Sequence, residues 1–87
     1  MQQVRVGDYV SWTSRSGEVS KTKEGDVVAL VARSHDAYQC VPQNTPPRRL
    51  KFKSVNMQYD RVLVAVRRKS GIYDYYAPSI NMVKVVD

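Results

Sequence analysis

The chain has 87 residues and a single cysteine, so it makes one domain, spanning residues 1–87, with a thin core and no intramolecular disulfide. Hydrophobic residues at 43% and charged residues at 25% exclude global disorder and a disulfide-stapled secreted scaffold, and no apolar run is long enough to cross a bilayer, so a soluble, cytoplasmic domain without membrane contact is expected. Fourteen Lys and Arg against eight Asp and Glu leave +6 at pH 7, a balance that attracts nucleic acid, anionic membranes or acidic protein surfaces.

Beta signals run through the whole chain: apolar stretches are short, rich in Val and Tyr, and bounded by turn residues. After Gly7-Asp8, the alternation of Tyr9-Val10-Ser11-Trp12-Thr13 predicts a first strand with Val10 and Trp12 on one face. Ser14–Gly17 predicts a turn, Lys21–Asp26 a charged loop, and Val27–Ala32 a second strand. From Arg33 to Gln58 there are five cations (Arg33, Arg48, Arg49, Lys51, Lys53) and one acid (Asp36), which places +4 of the net +6 in this stretch. Pro42, Pro46, Pro47 and Asn44 argue against regular structure, so residues 33–53 are expected to hold one long basic loop, ending in a short strand of Leu50 and Phe52 alternating with Lys51 and Lys53. Tyr59–Arg67 predicts a central strand with Val62, Val64 and Val66 on one side and Leu63 and Ala65 on the other. Arg68-Lys69-Ser70-Gly71 predicts a hairpin onto Ile72–Ala77, Pro78–Asn81 a 3₁₀ turn, and Met82–Val86 a last short strand.

The segment Val6-Gly7-Asp8-Tyr9-Val10-Ser11-Trp12 resembles the opening strand of Tudor-like and KOW-like barrels, and Tyr76-Ala77-Pro78-Ser79-Ile80-Asn81-Met82-Val83 resembles the end of SH3-type domains. The resemblance implies an all-β fold: a single small SH3-like barrel of five or six short strands, with one long loop and a 3₁₀ turn before the last strand. It is nearest to small bacterial and phage domains of unknown function, and such a fold leaves activity open. The acidic-aromatic opening of peptide-binding SH3 domains is missing, which argues against proline-peptide recognition.

Pro47-Arg48-Arg49-Leu50-Lys51-Phe52-Lys53 places four cations within six positions with no acid, a spacing that neutralises successive phosphates. Arg67-Arg68-Lys69 forms a second basic cluster beside Tyr73 and Tyr75, which share a strand face and are suited to stacking on bases. The plainer alternative is that these cations solvate a strand edge while the tyrosines cover the core. Trp12 with Tyr9 and Tyr76 invites comparison with aromatic cages, against the alternative of a core tryptophan. His35 and Cys40 are too few to fill a zinc site, and no phosphate loop, catalytic triad or paired-carboxylate spacing is present, so no metal, cofactor or catalysis is expected.

The first expectation is therefore a non-enzymatic module binding nucleic acid through backbone phosphates with Arg48, Arg49, Lys51, Lys53, Arg67, Arg68, Lys69, Tyr73 and Tyr75. The second is a protein-interaction module, such as a phage-encoded inhibitor of a host nucleic-acid-processing complex, using the same cations on an acidic protein surface. The third is the oligomeric SH3-like reductase, whose pore motif Val-Gln-Ile-Tyr falls near Ile72-Tyr73-Asp74-Tyr75, where this chain has an acid and no Gln. An exposed strand edge also raises the expectation of a homo-oligomer.

Overall fold

A computed structural model of the chain describes residues 3–52 and 58–86. Five strands form one antiparallel sheet: β1 (Tyr9–Ser16), β2 (Val19–Val31), β3 (Arg61–Arg67), β4 (Tyr73–Tyr76) and β5 (Lys84–Val85), in the order β4-β3-β2-β1-β5. Among the described residues the only helical segments are two 3₁₀ turns, Ala37–Cys40 and Pro47–Arg49, and no helix is long and apolar enough to cross a membrane.

The first hairpin is longer than its apolar pattern suggests. Lys21–Asp26, expected as a charged loop, lies within β2, and the turn falls at Gly17-Glu18 instead of Ser14–Gly17, with Ser16 paired to Val19. Gly17 takes φ +61°, which a two-residue hairpin turn requires of its first central residue. Beyond Thr13 the two strands are flanked by no third strand, so neither face has to be apolar and alternation gives no signal there. Cross-strand polar contacts hold the arm together: Thr13 and Thr22 hydroxyls are 3.0 Å apart, and Lys23 Nζ donates to Ser14 Oγ at 2.9 Å.

A β-bulge between Val27 and Ala29 changes which face of β2 points where. Val27 pairs with Val64 and joins a cluster with Val10, Trp12 and Val62. After the extra residue, Ala29 and Val31 turn to the opposite face, where they meet Leu63. Strand β3 thus has apolar side chains buried on both sides, as its continuous apolar run suggests.

Two cores result. The larger one takes residues from all five strands, including Val66 of β3, Tyr76 of β4 and Val85 of β5. The smaller one lies on the other face and is covered by the stretch after β2: Ala37 of the first 3₁₀ turn is fully buried, and Val41 and Phe52 pack around it. The described residues of this stretch form the long connection that was expected, without strand or α-helix, and Ala37, Val41 and Phe52 anchor it on the sheet. Asp36 caps the first 3₁₀ turn by accepting from Tyr38 N at 2.9 Å, and Asp60 Oδ1 accepts from Arg33 N at 2.8 Å. The buried Arg61 guanidinium reaches the His35 carbonyl at 3.3 Å. Before β5 the chain makes one turn closed by Met82 N to Ser79 O at 2.9 Å, which is not extended into a 3₁₀ segment.

Candidate functional site

Arg48 and Arg49 belong to the second 3₁₀ turn, whose first residue, Pro47, has the φ that such a turn needs and no N–H to leave unsatisfied. Leaving the turn, the chain meets β4 at one point. Leu50 and Tyr75 form a parallel bridge, and Lys51 N donates to Tyr75 O at 2.8 Å. The short strand expected at Leu50–Lys53 is therefore a single bridge within the described residues, and Lys53 lies outside them.

The parallel sense sends Arg48 and Arg49 toward the Tyr73 end of β4, and the 3₁₀ turn packs against that strand. That end carries the β3–β4 hairpin, where Tyr73 pairs with Arg67 and the turn is closed by Arg68 N to Ile72 O at 2.7 Å. Gly71 has φ +90°, the conformation the turn needs of it. Two basic clusters far apart in sequence thus flank the same end of β4.

Their members are not equivalent. Arg48, Lys51, Arg67 and Lys69 are exposed. Arg49 is half-buried, and its Nε is sealed from solvent with no hydrogen-bond partner, so it does not stand open to solvent as Lys51 does. In register it flanks Asp74, the one buried acid among the described residues. Arg68 Nε lies 3.8 Å from Asp74 Oδ2, which compensates part of its charge. Tyr73 is exposed, whereas Tyr75 packs against the Val31–Ala37–Leu63 core and has only part of its ring available. Burial, and after it the Asp74 carboxylate, hold the Tyr76 phenol above its ordinary pKa, with Arg68 pulling the other way.

A feature that sequence reasoning did not assemble lies on the other side of the 50–52 segment. A cavity of about 380 Å³ is lined by Trp12, Tyr76, Phe52 and Met82, with Lys23 and Lys51 among its cationic members. Trp12 is almost wholly buried and meets Tyr76 edge-on at 5.7 Å between ring centroids, so it is a core residue that presents one edge. Tyr9, the third member of the imagined cage, occupies the opposite phase of β1. Lys23 Nζ stands 5.4 Å from the Tyr76 ring centroid, already in the position a guest cation would take. A second concavity adjoins across Trp12 and Met82 and includes Lys84. The sequence signal for this site was weak because its aromatics come from three separate segments.

No family model matches the chain, and no curated protein or solved structure matches it at a significant level.

Proposed function

We propose that this chain is a non-enzymatic module that binds nucleic acid through backbone phosphates, on a small SH3-like barrel scaffold. The observation that carries the reading is the Leu50–Tyr75 bridge, which brings Arg48 and Arg49 toward the cations of the β3–β4 hairpin tip and sets Lys51 toward the Tyr76 end of the same strand. Four exposed cations, Arg48, Lys51, Arg67 and Lys69, form the contact surface. Arg49, half-buried, and Arg68, paired with Asp74, reinforce the local positive potential. The barrel reading is supported by the larger of the two cores, which draws side chains from all five strands.

Phosphate contacts displace condensed counterions, so affinity falls steeply with salt. With about four phosphates neutralised, a fourfold rise in salt weakens duplex binding roughly 150-fold. A labelled-duplex titration at two salt concentrations measures this directly. Binding that ignores salt, or no binding at the lower concentration, overturns the reading. A protein partner that survives nuclease treatment and is lost on Arg48→Glu with Lys51→Glu replaces nucleic acid with an acidic protein surface.

A further inference from the structure

The cavity beside the basic surface has a chemistry of its own. Its floor is aromatic, formed by the Trp12 edge and the Tyr76 ring, and Phe52 and Met82 wall it. Its volume, about 380 Å³, falls in the range of sites that hold a small molecule or one planar group. Among the described residues no acid lines it or the concavity that adjoins it, whereas Lys23, Lys51 and Lys84 do. A cationic guest is disfavoured twice over, by those three ammonium groups and by Lys23 already standing over the Tyr76 ring. The complementary guest is a flat apolar face carrying negative charge close by.

Lys51 connects this cavity to the phosphate surface, because it both lines the cavity and leads out of the basic 3₁₀ turn. We propose that the cavity receives an unstacked base of a single-stranded nucleic acid, with Lys51 and Lys23 contacting the phosphates that flank it. The proposal rests on the phosphate-binding reading above and adds a preference: paired, stacked bases of a duplex cannot enter, whereas a single strand offers a π-face at every nucleotide.

The test uses the full chain and three probes at equal salt: an oligothymidylate of about ten nucleotides, an abasic strand of the same length, and a duplex. Trp12 is the sole tryptophan, so its emission reports on the cavity directly. The expected result is that oligothymidylate binds roughly 5- to 150-fold more tightly than the abasic strand and changes Trp12 emission. Phe52→Ala removes most of that preference. Since Phe52 also packs in the smaller core, Met82→Glu serves as the second variant; Met82 is about half exposed, and a carboxylate there repels the strand without disturbing the core. Equal affinity for the thymidylate and abasic strands, or a preference untouched by Met82→Glu, overturns the base site and leaves the phosphate surface standing. Failure of all three probes to bind overturns both.

Discussion

Gly25 lies where β2 comes closest to β3. A Cβ at this position would meet the Ala65 carbonyl oxygen and sit 2.8 Å from Val64 Cγ1. In the sequence, Gly25-Asp26 resembles a turn opening a strand, yet the residue is buried within β2 and paired with Val10 of β1. Its lack of a side chain serves a close approach between strands, which local sequence cannot distinguish from a turn. Gly25→Ala is therefore expected to destabilise the fold by about 1–3 kcal/mol through overpacking. The check is urea unfolding, with a lower midpoint and an unchanged slope; an unchanged midpoint shows that the strands have room to separate. Arg61 is a second residue whose role depends on contacts distant in sequence. It opens a strand of apolar residues, yet it is buried and reaches the His35 carbonyl, 26 residues earlier in the chain.

At the scale of elements, the stretch between β2 and β3 explains how a small domain manages a sheet with two apolar faces. One face of β3 packs into the larger core; Leu63, on the other, needs a cover, and Ala37, Val41 and Phe52 supply it. The cover also fixes the site, since Tyr38 donates to the Phe52 carbonyl at 3.1 Å and stacks edge-on with its ring at 5.0 Å. A charge placed under the cover should release it. Ala37→Asp puts an unpaired carboxylate where no solvent reaches, so the cover is expected to lift while the sheet holds through the larger core. Hydrogen exchange should show fast amides across residues 36–52 with β1–β3 still protected, and duplex affinity should fall as Arg48 and Lys51 lose their alignment. Uniform loss of protection would mean that the two cores are one cooperative unit. This element marks the limit of what the sequence made legible. Strand β1 follows from alternation, β3 from an unbroken apolar run that must be covered on both faces, and β4 from the hairpin turn at Gly71 that leads into its tyrosines. The cover escapes such reading, since 3₁₀ turns rich in Pro and polar residues leave no periodicity, and their few buried side chains contact strands distant in sequence. The two basic clusters were visible as strings of cations, but their meeting depends on one bridge between Leu50 and Tyr75.

For the whole molecule the question is whether affinity for a polyanion follows net charge or its placement. A net charge of +6 on so small a chain attracts polyanions wherever the cations lie, and within about one Debye length of ~10 Å the local arrangement then decides. Charge-matched variants separate the two. Arg48→Glu with Lys51→Glu changes the net charge by −4, from +6 to +2, and so does Arg5→Glu with Arg15→Glu. All four residues are exposed. Arg5 precedes β1, and Arg15 lies in the arm of the first hairpin, so neither belongs to the elements that meet at β4. If long-range attraction alone drives binding, the two double variants weaken duplex affinity equally and flatten its salt dependence alike. If the aligned surface drives it, Arg48→Glu with Lys51→Glu reduces the magnitude of the log-log salt slope by about 2, as two phosphate contacts are lost, whereas the Arg5–Arg15 variant keeps the slope near its parent value. The slope, more than the affinity, is the decisive measurement, because it counts ions released at the contact, and between two variants of equal net charge only a difference in placement makes it differ.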